Sequence, residues 1–295
     1  MPYAAANGIE LFYHSVGDPA DPTMLLVNGL GTQLISWHDE LCEMLAARGF
    51  QVVRFDNRDV GLSTHIDQPV EKGTVAAAAR GDHTPVAPYL LDDMADDAAG
   101  LLDHLGAGAA HVVGVSMGGM IAQTLAIRHP ARVTSLTSIM STTGEPEVGT
   151  PTPEAFAELM APPPDSREAA QDAAARNARA WGSPGLYAEG EVRALAAAAW
   201  DRDHDAAGTG RQLLAIMASG SRAEALVELT VPTLVIHGTA DTLVQPSGGE
   251  RTAELVPDAK LVLIDGMGHD LARPLWPRIV DAIARHTHEH AAASS

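Results

Sequence analysis

The stretch HVVGVSMGGM, residues 111–120, decides the fold, because it joins an apolar run to a helix-like segment through one serine. Gly114 and Gly118 lie two positions on either side of Ser116, in the pattern Gly-X-Ser-X-Gly. Glycines there let a strand and a helix approach closely, while the serine adopts a strained backbone that projects its hydroxyl beyond the sheet edge. The stretch therefore predicts a strand, a sharp turn that presents a nucleophile, and a helix beginning at Met117.

Short apolar runs recur on both sides of this stretch and predict a sheet. Runs of Val, Leu and Ile with little polar alternation are typical of strands that are covered on both faces. Helical stretches separate the runs, which predicts an α/β fold with a mostly parallel central sheet and helices on both faces. The predicted strands are 23–29, 51–56, 111–115, 133–140, 232–238 and 259–265. The predicted helices lie near 36–48, 90–106, 117–130 and 275–288.

Residues 141–225 interrupt this alternation. The segment is rich in alanine, proline and acidic residues and contains no convincing strand, so it predicts a helical cap inserted after the strand 133–140, with 1–140 and 226–295 as the core. A disordered linker is the alternative, and the aromatic and apolar content of the segment argues against it. The positions concerned are Phe156, Leu159, Trp181, Leu186, Tyr187 and Trp200.

Composition narrows the function classes. The 295 residues are 46% hydrophobic, which is ample for a core, and the formal net charge of −19 argues against nucleic acid or an anionic membrane as a partner. No apolar run reaches the 18 or so residues of a membrane span, and the N-terminal sequence does not resemble a signal peptide, so a cytoplasmic protein is predicted. The one cysteine, Cys42, lies on an amphipathic stretch and is predicted to be packed in a helix and not to act as a nucleophile.

A serine hydroxyl needs a base, and the base needs a carboxylate to orient it. In this type of fold the chain order is serine, then an acid, then histidine. Asp241 follows the strand 232–238, and His269 follows the strand 259–265. All three side chains are expected at the carboxyl ends of parallel strands, where open α/β sheets place their sites. Ser116, Asp241 and His269 are therefore the predicted catalytic residues.

Other polar residues near these positions have competing or structural roles. Asp270 competes with Asp241 as the acid that orients the histidine, because it directly follows His269. His237 is predicted to be structural or to line a pocket, and Asp265 to serve a turn. Surface or cap positions are predicted for His104 and His111, and residues 286–295 read as a frayed tail. No two of His104, His111, His237 and His269 have metal-ligand spacing on a helix, and a solvated end is favoured over a metal site for the three histidines of the tail, so no metal is expected.

The oxyanion formed during attack by Ser116 needs two N–H donors. The backbone N–H of Met117, directly after the serine, supplies one. The second is expected from the loop after the strand 23–29, at the N–H of Leu30, with Gly31 as the competing choice. Trp37 and Trp181 are candidates for lining the substrate pocket, although packing within the cap is a competing role for Trp181.

The chain resembles the α/β-hydrolases, and within them the branch that contains aclacinomycin methylesterase. The resemblance covers nearly the whole length except the cap and is carried by five segments. They are PADPTMLLVNG (19–29), VVRFDNRDVGLST (52–64), AHVVGVSMGG (110–119), VPTLVIHGTAD (231–241) and LVLIDGMGH (261–269). The resemblance implies the same roles for Ser116, His269 and Asp241, and an oxyanion site at Leu30 and Met117. Two positions depart from the common pattern: Asn28 stands where many relatives have histidine, and Asp59 where many have glycine.

These observations predict a serine hydrolase that cleaves small to medium carboxylic esters through an acyl-enzyme intermediate, without a cofactor. The serine at the turn argues against relatives such as dehalogenases and epoxide hydrolases, which use aspartate there. A cofactor-free haloperoxidase or perhydrolase shares the same three residues, and dependence on peroxide would distinguish it. Cleavage of carbon–carbon bonds is a further alternative. A non-catalytic ligand-binding relative would retain its ligand without turnover.

Overall fold

The computed structural model describes residues 2–71, 73–79 and 86–291. The strands are β1 (Tyr3–Ala6), β2 (Ile9–Val16), β3 (Thr23–Val27), β4 (Gln51–Phe55), β5 (Ala110–Val115), β6 (Val133–Ile139), β7 (Thr233–Gly238) and β8 (Lys260–Ile264). The helices are α1 (Asp39–Ala46), α2 (Thr74–Ala79), α3 (Leu91–His104), α4 (Met117–Arg128), α5 (Pro153–Leu159), α6 (Arg167–Trp181), α7 (Glu189–Arg202), α8 (Ala206–Ser219), α9 (Ala223–Val227), α10 (Ser247–Leu255) and α11 (Trp276–Ala291).

The strands form one sheet in the order β1-β2-β4-β3-β5-β6-β7-β8. From β4 to β8 neighbouring strands are parallel, whereas β1 pairs with β2 and β2 with β4 in antiparallel fashion. The predicted α/β fold with a mostly parallel sheet is confirmed. Because β3, β5, β7 and β8 run in the same direction, the loops that follow them emerge at one edge of the sheet.

Alternation along the strands divides the core into two layers. In β3, Leu25 and Val27 point into an apolar cluster with residues of α3 and α4, whereas Met24 and Leu26 point into a second cluster with residues of α1 and α11. Successive strand side chains face opposite sides of a sheet, so an unbroken apolar run is what a strand covered on both faces requires. Helices therefore cover both faces of the sheet, and the loops that follow the parallel strands lie at the edge formed by the carboxyl ends of those strands.

Between β6 and β7 the chain forms α5, α6, α7, α8 and α9 and no strand, and all of this part is described. We call residues 141–225 the inserted segment. The last of these helices, α9, crosses residue 225, and its Leu226 is fully buried in the same cluster as Leu25. α9 therefore packs with the residues of the core, although its first residues lie in the inserted segment.

Several local expectations differ from the structure. β1, β2 and α10 were not predicted, because their short polar-apolar patterns carry weak periodic signals. His111 is not a surface residue: it lies in β5, is buried, and its Nδ1 lies 2.8 Å from the hydroxyl oxygen of Ser135. The predicted tail is helical to Ala291, with His286 buried, and its residues 292–295 lie outside the described ranges. No helix in those ranges is long and apolar enough to cross a membrane.

Candidate active site

Ser116 occupies a strained turn between β5 and α4, with φ 55° and ψ −122°. A Cβ at Gly114 would lie 2.0 Å from the carbonyl oxygen of Gly118, and a Cβ at Gly118 would lie 2.2 Å from that of Val27. Real side chains do not approach backbone atoms that closely, so both positions require glycine. The left-handed backbone at a non-glycine residue costs energy and is retained only where the surroundings impose it.

The turn that carries Ser116 is held by its own backbone groups. The Ser116 N–H donates to the carbonyl of Ile139 in β6 at 2.9 Å, and the Ser116 carbonyl accepts from the hydroxyl of Ser141 at 2.8 Å. The same carbonyl accepts from the N–H groups of Gly119 and Met120 in the first turn of α4. The hydroxyl of Ser116 therefore lies at a helix N-terminus, which favours negative charge.

His269, in the loop after β8, joins Ser116 to Asp241. Its Nε2 lies 2.9 Å from the Oγ of Ser116, and its Nδ1 lies 2.7 Å from Oδ2 of Asp241. A carboxylate can only accept, so Nδ1 carries the proton that it donates to Asp241, and Nε2 is left to accept from the serine hydroxyl. The structure thus brings together the three residues that were predicted as catalytic.

Asp241, in the loop after β7, is buried, and its carboxylate is saturated with donors. Its Oδ1 accepts from the N–H groups of Leu243 and Val244, both at 2.9 Å. Burial by itself would raise the pKa of Asp241, but His269 and His237 outweigh burial and lower the pKa to about 2. Asp241 is consequently ionised at neutral pH and fixes the orientation of the His269 ring.

The competing acid, Asp270, has a different partner. Its Oδ1 accepts from the N–H of Ser183 at 3.0 Å and from the hydroxyl of the same residue. His237 is also structural: it is fully buried at the end of β7, and its Nε2–H donates to the carbonyl of Val244 at 2.7 Å. Of the two acids, Asp241 is therefore the one beside the ring of His269.

The loop that carries His269 rests on the inserted segment, a feature that sequence reasoning missed. The His269 N–H donates to the carbonyl of Trp181 at 2.6 Å, and the Gly268 N–H donates to the hydroxyl of Ser183 at 2.9 Å. A Cβ at Gly268 would lie 2.4 Å from the carbonyl carbon of Gly182. The glycine beside His269 was the available signal, because it marks a close backbone approach.

The two predicted oxyanion donors lie at the same edge. A Cβ on Gly29, the residue before Leu30, would lie 3.3 Å from the Cβ of Ser116, so the loop after β3 packs directly against the serine. Within the described chain, the N–H groups of Leu30 and Met117 have no protein acceptor. The N–H of Gly31, the competing choice, donates to Oε1 of Gln212 at 2.8 Å. Leu30 and Met117 therefore retain the N–H groups that an oxyanion could use.

The predicted pocket role of Trp37 is wrong, because the structure places that side chain in the core. Trp37 is 1% exposed and packs with Leu41 and Leu45 of α1. Trp181 is half-buried at the end of α6, and its carbonyl group accepts from the N–H of His269. Cys42 is buried in α1 as predicted, and burial raises the pKa of its thiol to about 11, which keeps it a poor nucleophile.

The two departures from the family pattern have structural roles. The side-chain amide of Asn28 donates to the carbonyl of Phe55 at 3.1 Å and so ties the loop after β3 to the end of β4. Asp59 has φ 71° and pairs with Arg211 of α8. Asp59, His65 and Asp205 approach one another within 4.8 Å, as metal ligands would. Arg211 pairs with the carboxylates of Asp59 and Asp205 and so supplies the positive charge that a metal cation would bring there.

Comparisons with known proteins identify the family and the fold. A family model described as the alpha/beta hydrolase fold matches residues 22–272. Rhodomycin D methylesterase DnrP from Streptomyces peucetius is 30% identical over 95% of both chains. The crystal structure of an enol-lactonase from Burkholderia xenovorans is 26% identical, with a TM-score of 0.71 over 99% of this chain and all of that chain. A meta-cleavage product hydrolase from Pseudomonas fluorescens, 21% identical, shares the fold with a TM-score of 0.76 over 98% of both chains.

Proposed function

Because the chain belongs to the α/β-hydrolase fold family, we propose that it is a serine hydrolase that cleaves carboxylic esters with Ser116, His269 and Asp241. The observation that carries the proposal is the position of the His269 ring, with Nε2 2.9 Å from the Ser116 Oγ and Nδ1 2.7 Å from the Asp241 carboxylate. A nucleophile, a base and an orienting acid within hydrogen-bond reach are the arrangement that acyl transfer by serine needs. The methylesterase relative supports an ester as the substrate.

The first step acylates the enzyme. Nε2 of His269 takes the proton from Ser116 as the Oγ attacks the ester carbonyl carbon. The tetrahedral intermediate then collapses, its bond to the alcohol oxygen breaks, and the alcohol leaves with the proton from His269. Asp241 stabilises the imidazolium that forms between these events, because its carboxylate is buried, ionised and bonded to Nδ1.

The second step hydrolyses the acyl-enzyme. His269 deprotonates a water molecule, which attacks the acyl carbon, and the Ser116 Oγ leaves with the same proton. The carboxylic acid is released, and the enzyme returns to its starting state. No cofactor enters either step.

The negative oxygen formed in both steps is stabilised by the backbone N–H groups of Leu30 and Met117. Their lack of another acceptor in the described chain supports this role, as does the contact of Gly29 with Ser116. Loss of one such donor typically costs about 10²–10³ in turnover. Substitution of the Leu30 or Met117 side chain changes the shape of the site and leaves these backbone donors in place.

The inserted segment, 141–225, is the cap of the enzyme in this proposal, and residues 1–140 and 226–295 are its core. The contacts of Trp181 and Ser183 with the loop of His269 support a cap that closes over the catalytic edge of the sheet. Its helices would shape the pocket for a small or medium ester. The net charge of −19 supports a small molecule as the partner of the enzyme over nucleic acid or a membrane. The proposal also includes a cytoplasmic location.

The test is hydrolysis of p-nitrophenyl acetate, butyrate and octanoate, and of methyl benzoate, by the wild type and by Ser116→Ala in the absence of peroxide. The proposal expects turnover by the wild type and background rates for the variant. The matched control is Ser221→Ala, because Ser221 is an exposed serine in the turn between α8 and α9.

Two results would overturn the proposal. One is a wild type that is inert on all four esters and acts only when peroxide is added, which indicates the haloperoxidase alternative. The other is a Ser116→Ala variant that retains wild-type turnover, which would place the nucleophile elsewhere.

A further inference from the structure

We propose that Gln212, in α8 of the inserted segment, is a positioning residue for the oxyanion site. Its side chain fixes the loop after β3, so that the N–H of Leu30 keeps its direction toward the reacting carbonyl oxygen. This inference rests on the proposed function and adds to it a residue that lies far from the three catalytic side chains in sequence.

The contacts of Gln212 determine the orientation of its amide. The side chain is fully buried. Its Oε1 accepts from the N–H of Gly31 at 2.8 Å, and its Nε2 donates to the carbonyl of Arg58 at 2.7 Å. Oε1 can only accept and Nε2 can only donate, so both ends of the amide are used by backbone groups of two core loops. One side chain of the cap therefore links the loop after β3 to the loop after β4.

The Leu30 N–H belongs to the peptide group between Gly29 and Leu30. The carbonyl of that peptide, on Gly29, accepts from the hydroxyl of Thr32 at 3.0 Å and from its N–H at 3.3 Å. In a trans peptide the N–H points opposite to the carbonyl, so these bonds set the direction of the Leu30 N–H. The next peptide group is held at the Gly31 N–H by Gln212.

Both peptide groups that flank Leu30 are thus anchored, one from inside the loop and one from α8. Gly31 has φ 64° and lacks a side chain to limit rotation. When the bond from Gln212 is lost, the second peptide group can turn, and its motion passes to the Leu30 N–H through the backbone of Leu30. A change of this kind weakens binding of the oxyanion more than binding of the uncharged ester.

The first turn of α8 packs closely against the loops after β3 and β4, and this packing fixes the position of Gln212. A Cβ at Gly208 would lie 2.0 Å from the carbonyl oxygen of Asp59, and a Cβ at Gly31 would lie 2.9 Å from Oγ1 of Thr209. The helix therefore packs directly on the two loops that Gln212 links. A displacement of α8 changes the oxyanion site without touching Ser116, Asp241 or His269.

The experiment compares Gln212→Met with the wild type in hydrolysis of p-nitrophenyl butyrate and in inhibition by phenylboronic acid. Methionine has a similar shape but cannot hold the Gly31 N–H. We expect kcat to fall about 10- to 100-fold, with KM changed less than about threefold, as loss of oxyanion stabilisation requires. The inhibition constant of phenylboronic acid, which forms a tetrahedral anion on the serine, should rise about as much as kcat falls.

Ser219→Ala is the matched control. Ser219 lies at the other end of α8, and its hydroxyl accepts from the N–H of Leu91 in the core at 2.9 Å. This variant also loses a bond between α8 and a core N–H, but far along the helix from Gly31. We expect its kcat and its inhibition constant for phenylboronic acid to stay within about twofold of the wild type, because the oxyanion loop is untouched.

Gln212→Glu keeps the proposal testable should Gln212→Met fold poorly. A protonated carboxyl group accepts from the Gly31 N–H and donates to the Arg58 carbonyl as glutamine does, whereas the ionised group cannot donate. Burial favours the protonated form. We therefore expect near wild-type kcat at pH 6 and a growing deficit relative to the wild type as the pH rises to 9.

Three outcomes would overturn the proposal. They are a Gln212→Met kcat within about twofold of the wild type, an equal loss of kcat in Ser219→Ala, and a Gln212→Glu deficit that does not change with pH. Failure of the proposed function gives a different result, because the wild type itself would then show no esterase activity.

Discussion

Asp59 and Arg211 form a two-point ion pair across the boundary between the core and α8. Nη2 of Arg211 lies 2.8 Å from Oδ1 of Asp59, and its Nε lies 2.9 Å from Oδ2. The Asp59 side chain is completely buried, and its backbone has the positive φ for which glycine is the usual residue. The pair accounts for aspartate at this position: the carboxylate binds Arg211 of α8, which offsets the strain of the left-handed backbone.

Removal of the arginine from this pair should destabilise the protein strongly. Arg211→Met leaves the Asp59 carboxylate buried without its partner, and we expect the free energy of unfolding to fall by about 3–5 kcal/mol. Adding Asp59→Gly to the same chain should restore part of the loss, because it removes the charge and suits the backbone. Urea unfolding of the two single variants and the double variant measures both effects.

The control for this cycle is Arg128→Met. Arg128 pairs with Asp92 and Asp96 on the surface, where such pairs contribute about 0–1 kcal/mol. A loss in Arg211→Met as small as that in Arg128→Met would show that the buried pair does not stabilise the packing of α8 on the loop after β4.

The two neighbouring acids at the site should differ sharply in their effect on catalysis. Asp241→Asn removes the carboxylate that fixes the His269 tautomer, and kcat on p-nitrophenyl butyrate should fall about 10³–10⁴-fold. Asp270→Asn alters a contact with Ser183, and we expect a loss of no more than about tenfold. The reverse order of the two losses would assign the orienting role to Asp270.

Gly118, two positions after the serine, should tolerate no side chain. Gly118→Ala places a Cβ 2.2 Å from the Val27 carbonyl oxygen, so strand and helix must separate, and we expect a loss of about 3 kcal/mol or more. The matched control is Gly190→Ala, at an exposed position in α7 with no atom within 4 Å of the added Cβ. That change should be neutral or stabilise by up to about 1 kcal/mol. Thermal unfolding of both variants checks the difference, and equal midpoints would contradict the close approach at Gly118.

Stability should fall as the pH drops from about 6.5 to 4. Burial lowers the pKa of His111 and of His286 to about 4, while an imidazole in the unfolded chain takes up a proton below about pH 6.5. Between these values the unfolded state binds more protons, so the free energy of unfolding decreases with falling pH, by at most about 3 kcal/mol per histidine. Urea unfolding at pH 7.5, 6 and 5 measures the slope.

Variants at two histidines identify the source of this slope. His111→Asn removes one of the two buried imidazoles and should flatten the pH dependence, whereas His104→Asn, at an exposed position, should leave it unchanged. A slope that is the same in wild type and His111→Asn would mean that other groups cause the acid sensitivity.

The sequence predicted the six parallel strands of the sheet and the three catalytic candidates because their signals are local. The apolar run before Ser116 and its flanking glycines identify the turn, and chain order then selects Asp241 and His269. The contacts of Gln212 and Ser183 with the catalytic loops have no such signal, because each joins residues that are far apart in the chain. The same reason explains the errors at Trp37 and His111, whose burial depends on elements that pack over them from elsewhere in the sequence.

The most direct test of the central claim is to identify the residue that diethyl p-nitrophenyl phosphate modifies. The reagent transfers its diethylphosphoryl group to an activated serine oxygen as p-nitrophenolate leaves. We expect one group per chain, on the peptide that contains Ser116, with loss of ester hydrolysis in proportion to labelling and no labelling in His269→Ala. A label on another residue, or full ester hydrolysis by a chain labelled at Ser116, would contradict it.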